Sequence, residues 1–153
     1  MPLRPDTAQK LHKLYLAKGV SATTAIEGNS LSEADVLKAV EGKLKVPPSK
    51  EYLKQEVDNM IGACNAIGEQ IMKGVVPTLL PAVIKDYNKR ILDKLPAKKD
   101  VVPGEIRGHS VVVGNVYRGA PAEDCTHLLE RLCDWLNGPD FKAPAGAEIF
   151  YRS

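Results

Sequence analysis

The chain has 153 residues, of which 44% are hydrophobic and 26% are charged, and its formal net charge is +2. These values are ordinary for one globular domain with a core of its own, and the small charge gives no support to a nucleic-acid partner. No stretch approaches the ~18 apolar residues of a membrane span, and the first residues lack the apolar region of a signal peptide, so we expect a cytoplasmic protein without a membrane partner.

The three cysteines do not form a recognisable site. Cys125 and Cys133 lie eight residues apart on one predicted helix, which is too far along the axis for a disulfide, and Cys64 has no neighbour in a CxxC pair. We therefore expect small buried thiols in a reducing compartment, and no metal site.

The first third of the chain predicts three short helices. Leu11, Leu14 and Tyr15 mark the apolar side of the first helix, which covers about residues 6–18, and Gly19 is expected to end or interrupt it. A second helix over about 21–27 stops at a Gly-Asn pair. Ser32 to Asp35 then resembles a capping box, with Asp in place of Glu, and opens a third helix to about residue 41.

The middle of the chain predicts two longer helices. One follows Pro47-Pro48 and covers about residues 50–73, and the next begins near Pro81 and is stopped by Pro96. The apolar residues that we expect to form the buried stripe of the longer helix are Leu53, Val57, Met60, Ile61, Cys64, Ile67 and Ile71.

The last third contains the only predicted extended element. Three consecutive valines lie between Gly108 and Gly114-Asn115, which indicates a short hairpin over about residues 107–117. A helix from Pro121 follows and is closed by Asn137-Gly138. Residues 147–152 resemble the start of another helix, and from this pattern we expect that the chain is a truncated part of a larger domain.

The segment Thr23-Thr24-Ala25-Ile26-Glu27-Gly28-Asn29 carries the most information about function. Thr23 and Glu27 are four residues apart and share one helix face. Glu27 lies in the last turn, where the helix dipole disfavours a negative charge by about 0.3–1 kcal/mol, so a cationic partner is expected nearby. The alternative is that Glu27 simply points into water.

This segment resembles the inhibitory motif of Fic-family protein adenylyltransferases, Ser/Thr-x-x-x-Glu-Gly/Asn, with Thr23, Glu27 and Gly28 in its defined positions. The longer string from Ile26 to Ser32 is similar to that of family members whose inhibitory helix precedes the core. The resemblance implies that Glu27 pairs with an arginine of the catalytic loop and so occupies the place where the γ-phosphate of ATP would be oriented.

A second stretch resembles the flap of the same family, a hairpin that docks a segment of the target protein. It consists of Pro103-Gly104-Glu105-Ile106-Arg107 followed by the three valines. Strand addition would fix the register of an extended target segment through backbone hydrogen bonds. The docking residues that the resemblance implies are Ile106, Val111, Val112 and Val113.

The catalytic loop of the family, His-Pro-Phe-x-x-Gly-Asn-Gly-Arg, does not occur in the 153 residues. The resemblance implies ATP and Mg²⁺ as cofactors of the complete enzyme, and we expect neither to bind tightly to this chain alone. The histidines of the chain are His12, His109 and His127, none in such a loop, so we assign no catalytic residue and no metal ligand.

The resulting prediction is an all-α, Fic-like helical domain that is incomplete and carries one short β-hairpin flap. Residues 1–46 would form the N-terminal region with the inhibitory helix, and residues 47–153 the first part of the core. We expect a protein that in its complete form moves AMP from ATP to a Ser, Thr or Tyr hydroxyl of a target protein, whereas this chain alone is inactive.

Two alternatives stay open at this stage. The chain could be a non-catalytic, antitoxin-like inhibitor that acts on a separate enzyme, although such partners are small and would need no flap. It could also be a helical adaptor whose motif is accidental. Because helices that should pack on a missing segment would expose apolar residues near Leu128, Leu132 and Trp135, we also expect self-association.

Overall fold

The structure of the protein is a computed structural model that describes residues 4–75, 78–96, 100–114 and 116–141. The chain forms two compact units, one from residues up to 76 together with 90–96, and one from residues 77–89 together with those from 97 onwards. The predicted boundary between residues 46 and 47 lies within the first unit. It separates an expected inhibitory region from an expected core, and it stays a prediction.

The architecture is mostly helical, as predicted. Five α-helices and one two-stranded antiparallel ribbon are found in the described part of the chain. The helices are α1 (Pro5–Ile26), α2 (Glu33–Val40), α3 (Glu51–Met72), α4 (Pro81–Ile91) and α5 (Cys125–Leu136), and the strands are β1 (Val112–Val113) and β2 (Tyr117–Arg118). Single 3-10 turns precede α3 at Pro48–Lys50 and α5 at Ala122–Asp124, and another follows α5 at Pro139–Phe141.

The N-terminal region is one helix rather than the two that were predicted. Gly19 lies inside α1 instead of ending it. A glycine inside a helix costs about 1 kcal/mol relative to alanine. The helix continues through it because Ala17 and Val20, on either side, are both buried and hold the backbone against the core.

The core of the first unit lies where α1, α2 and α3 pack against one another. Ala17 and Val20 of α1 meet Val36 of α2 and Val57 of α3, and all four are at most 2% exposed. Small and β-branched side chains at these positions allow the helix axes to approach closely. Each buried valine contributes about 1.5–3 kcal/mol of hydrophobic free energy.

The face of α1 that packs on this core is not the predicted one. Leu14 is 37% and Tyr15 68% exposed, whereas the buried residues are Ala17, Val20 and Thr24. Large apolar side chains dominated the sequence pattern, but the close approach of three helices selects the smaller ones. The apolar side predicted from Leu11, Leu14 and Tyr15 is therefore not the buried side of α1.

The stripe predicted on α3 is buried only over its first half. Leu53 and Val57 are buried, and Met60 and Ile61 pack against the core, but Cys64 is exposed and Ile71 is 55% exposed. The core partners of α3 are α1 and α2, so only the part of α3 beside them is covered. Of the cysteines expected to be buried, Cys133 alone is fully so.

Helix α4 ends four residues earlier than predicted, at Ile91. The chain after it turns through Lys94, whose φ is 56°, a left-handed conformation that no helix continues. The side-chain amide of Asn59 on α3 donates hydrogen bonds to the carbonyls of Ile91 (3.1 Å) and Asp93 (2.7 Å). These bonds satisfy carbonyls that the end of a helix leaves without an intrahelical donor.

Candidate functional site

The predicted inhibitory motif forms the C-terminal end of α1. Ile26 is the last residue of α1, and Glu27 is its C-cap. Gly28 follows with a φ of 93°, a conformation that favours glycine. The amide of Gly28 donates to the carbonyl of Ala25 (3.0 Å), and that of Asn29 donates to Thr24 (3.1 Å). This pair of bonds is the Schellman motif, so the Gly-Asn pair ends the helix as predicted.

Thr23 and Glu27 lie on one exposed face of this helix end. Within the described residues neither side chain forms a hydrogen bond or ion pair, and the cationic partner expected from the helix dipole is not found there. The carboxylate of Glu27 therefore points into solvent at the end of a fixed helix. Such a group can accept charge-assisted hydrogen bonds from a guanidinium or ammonium group that approaches from outside.

Thr24, and not its predicted neighbour Thr23, is the threonine that is buried. Thr24 is 3% exposed, and its hydroxyl donates to the carbonyl of Val20 at 2.9 Å. A threonine hydroxyl that donates to the carbonyl four residues earlier has its hydrogen bond within the helix and needs no distant partner. It can therefore be buried in an apolar core. Thr24 and Thr23 thus face opposite environments, one towards the core and one towards solvent.

Asn29 is the residue of this segment that sequence reasoning missed. It is 7% exposed, and its amide nitrogen donates to the carbonyl of Leu53 (2.9 Å) and to the carboxylate of Glu56 (2.7 Å), both on α3. Its side-chain oxygen accepts from the amide of Leu31 (3.0 Å). The signal in the sequence was a polar residue between Gly28 and the apolar Leu31. Asn29 was assigned only to the helix stop.

The predicted flap belongs to the second unit. Its strands pair Val112 with Arg118 and Val113 with Tyr117, which confirms a short hairpin in this region. Val112 is 58% exposed, whereas Ile106 and Val111 are half-buried, and Ile106 lies outside the strands. The strand position of Val113 is described, but its side chain lies outside the described part.

The loop that leads into the hairpin is anchored on α4. The amide of Gly104 donates to the side-chain oxygen of Asn88 (2.9 Å), and Glu105 forms an ion pair with Lys85 (3.0 Å). Gly104 has a φ of 82°, and a Cβ there would lie 3.2 Å from the carbonyl oxygen of Lys85. A side chain at this position would thus push the loop away from the helix.

Arg107 and Gly119 close the base of the hairpin. The guanidinium of Arg107 donates to the carbonyl of His109 (2.6 Å) and to that of Ala120, which lie on the two arms. The amide of Gly119 donates to the carbonyl of Val111 (3.0 Å). A Cβ at Gly119 would lie 2.8 Å from Cγ2 of Val111, so only glycine permits this approach.

The hairpin leaves backbone and side chains available to a partner. Among the described residues β1 and β2 pair only with each other, so each strand has one unpaired edge. Val116, just before β2, is 96% exposed, and Tyr117 in β2 is 66% exposed. An unpaired edge with exposed β-branched and aromatic side chains can accept an extended segment by strand addition.

Helix α5 exposes an apolar face, as predicted. Leu128, Leu132 and Trp135 lie at helical spacing and are 44%, 41% and 55% exposed. Cys133, on another side of the same helix, is 2% exposed. The exposure is therefore confirmed, whereas the self-association expected from it stays a prediction.

Potential metal ligands are not clustered within the described residues. In these ranges no three His, Cys, Asp or Glu side chains are grouped so that they could hold a metal ion. His109 and His127 are both exposed, on the hairpin loop and on α5.

Comparison with known proteins does not assign the chain to a family. No protein-family model matches it, and no curated protein is significantly similar to it. None of the described helices combines the length and the apolar composition needed to cross a bilayer. A function must therefore be argued from the residues and their geometry.

Proposed function

We propose that the chain is the regulatory part of a Fic-family protein adenylyltransferase that is held inactive through Glu27. The observation that carries the proposal is the end of α1. The residues in the motif positions, Thr23, Glu27 and Gly28, form a fixed helix end, and the carboxylate of Glu27 is exposed with no partner among the described residues. A regulatory carboxylate needs this combination of rigid backbone and open access.

In this proposal Glu27 binds the guanidinium group of an arginine in the catalytic loop. A guanidinium binds a carboxylate through charge-assisted hydrogen bonds, which contribute about 1.5–3 kcal/mol each. The arginine would then not be available to a nucleotide. The transfer of AMP from ATP to a Ser, Thr or Tyr hydroxyl of a target is assigned to residues other than those described here.

The hairpin is the proposed docking site for the target protein. Val112, with its exposed side chain, would contact the target directly. Val111 and Ile106 are half-buried and would act by holding the hairpin in shape, and Val113 contributes backbone at the strand pair. The anchoring by Asn88 and Arg107 supports this role, since a preformed edge costs less ordering entropy when a target strand adds to it.

The experiment is a self-modification assay of the full-length gene product with ATP labelled on its α-phosphate. Glu27→Gly should raise incorporation of label by roughly 10- to 150-fold, the factor that corresponds to one charge-assisted hydrogen bond. Glu41→Gly is the matched control, because Glu41 ends α2 in the same position before a left-handed Gly42. Equal labelling of the wild type and Glu27→Gly would count against the proposal.

A cytoplasmic location and a target protein as partner are parts of the same proposal. The self-modification assay also distinguishes the proposed inhibition through Glu27 from the adaptor alternative, in which the motif is accidental. An adaptor would incorporate no label with any variant at position 27.

A further inference from the structure

We propose that Asn29 is the positioning residue of Glu27. The side chain of Asn29 is hydrogen-bonded to Leu53 and Glu56, and this tie to α3 determines where the carboxylate of Glu27 lies. The inference rests on the proposed function. It assigns a regulatory role to a buried contact between Asn29, Leu53 and Glu56 that the resemblance to the motif does not cover.

The tie uses nearly the whole hydrogen-bonding capacity of the Asn29 side chain. Both amide protons are donated to α3, one to the carbonyl of Leu53 at 2.9 Å and one to the carboxylate of Glu56 at 2.7 Å. The amide oxygen accepts from Leu31 at 3.0 Å. A side chain that is 7% exposed and bonded at each end has one position available to it.

The backbone transmits this position to Glu27. Only Gly28 lies between the two residues, and the amides of Gly28 and Asn29 are both bonded back into the last turn of α1. Two residues span at most about 7 Å, so Glu27 cannot move far while Asn29 is held. Among the described residues the side chain of Glu27 makes no hydrogen bond or ion pair that would hold it instead.

A helix stop alone does not require such a tie, as α2 and α3 demonstrate. Both end in the same backbone motif, with Gly42 and Gly74 in the left-handed conformation. The residues that correspond to Asn29 are Lys43, which pairs with nearby Glu41, and Val75, which is 54% exposed. The buried bonds of Asn29 to a second helix are therefore additional to what ends α1.

The charge of Glu56 makes the tie selective for an amide. Replacement of Asn29 by aspartate keeps the shape but removes both donors and places a carboxylate against the Leu53 carbonyl and the Glu56 carboxylate. The local bonds should then break, because like charges and unpaired acceptors repel at this distance. Glu56→Gln keeps an acceptor for Asn29, whereas Glu56→Ala does not.

The test compares self-modification of the full-length gene product with Asn29→Ala, Glu27→Gly and the double variant. If Asn29 acts through Glu27, Asn29→Ala should raise labelling by about fivefold, the factor that corresponds to one net hydrogen bond. The double variant should equal Glu27→Gly, because there is no carboxylate left to position. Glu56→Ala should behave like Asn29→Ala, and Glu56→Gln like the wild type.

Asn59→Ala is the matched control. Asn59 also donates two amide hydrogen bonds to carbonyls within the same unit, at Ile91 and Asp93, but it is not connected to Glu27. It should destabilise the fold without raising labelling. A double variant with less labelling than Glu27→Gly, or a rise with Asn59→Ala, would overturn the positioning role and indicate a general effect on stability.

The two proposals fail in different ways. If Glu27→Gly raises labelling and Asn29→Ala does not, the positioning role is overturned while the proposed function stands. If Glu27→Gly has no effect, both are overturned.

Hydrogen exchange tests the tie directly in the 153-residue chain. Asn29→Ala should increase the exchange rates of the amides of residues 27–29 about fivefold but leave the rate of the Val57 amide unchanged. Unchanged exchange at 27–29 would overturn the inference.

Discussion

Asn137 and Leu79 are joined by two hydrogen bonds that run in opposite directions. The amide nitrogen of Asn137 donates to the carbonyl of Leu79 at 2.7 Å, and its oxygen accepts from the amide of Leu79 at 3.1 Å. The asparagine thus imitates a strand partner and connects the end of α5 to a segment 58 residues earlier. Asn29, Asn59 and Asn88 likewise bond the backbone of a distant segment.

The first prediction concerns this pair. Asn137→Ala should lower the free energy of unfolding of the chain by about 0.5–1.5 kcal/mol, since both bonds are partly accessible to water. Urea denaturation monitored by circular dichroism measures the change. Asn65→Ala, at an exposed position on α3, is the control and should stay within about 0.5 kcal/mol of the wild type. A shift no larger than that of the control would contradict the connecting role.

The sequence was sufficient to predict the helical class, the hairpin and the end of α1. Gly28-Asn29 and the three valines carry strong local signals, and local signals determine helix stops and short turns. The exposed apolar face at Leu128 was predicted on a different ground, namely that this helix should pack on a segment that is missing.

The connections made by asparagine could not be predicted. Asn29 and Asn137 each bond a partner far along the chain, and no periodicity encodes which carbonyl a buried amide will meet. The buried face of α1 was missed for a related reason: the preference for Ala17 over Tyr15 depends on how closely the other helices approach. These properties belong to packing and not to any one segment.

A second prediction tests the core of the first unit. Val36→Ala should destabilise the chain by about 2 kcal/mol, because a fully buried valine loses its contacts and leaves a cavity. The midpoint of urea unfolding reports this change. Val116→Ala is the control, since Val116 is 96% exposed, and it should leave the midpoint unchanged. Equal midpoints for both variants would show that the three-helix packing is not as described.

A third prediction tests the base of the hairpin. Gly119→Ala places a Cβ 2.8 Å from Val111, so the two arms must separate and the bond from Gly119 to the Val111 carbonyl should weaken. The amide of residue 119 should exchange with solvent at least about threefold faster. Gly108→Ala is the control, because a Cβ there meets no atom within 4 Å. Exchange that is unaffected by the change at 119 would mean that the arms do not approach in this way.

A fourth prediction concerns the start of α2 and its dependence on pH. The Ser32 hydroxyl accepts from the amide of Asp35 at 3.2 Å and donates to its carboxylate at 2.7 Å. The carboxylate therefore bonds the hydroxyl, not the backbone amide of Ser32 as in a capping box. This bond, followed by the contact with Lys38, lowers the pKa of Asp35 below its usual 3.8.

Because the pKa of Asp35 is lower in the folded state, its stabilising effect is present above pH 3.8 and is lost as the pH falls through the lower, folded value. Ser32→Ala should cost about 1 kcal/mol at pH 7, as expected for a helix N-cap, and less at a pH well below 3.8. Urea unfolding at both pH values measures this, with Ser30→Ala as the control. A cost that is independent of pH would contradict the bond to the Asp35 carboxylate.

The last prediction concerns the apolar face of α5. Leu128 and Leu132 expose roughly two fifths of their surfaces, whereas Cys133 on the same helix is buried. Neighbouring apolar side chains in water favour association, at about 25 cal/mol for each Å² that becomes buried. Sedimentation velocity should therefore show an average mass that rises with concentration, and Leu128→Glu with Leu132→Glu should abolish the rise. Glu130→Gln, at an exposed position on another side of the same helix, is the control and should leave the rise intact. A constant mass of 16.6 kDa for the wild type at all concentrations would show that this face does not drive association.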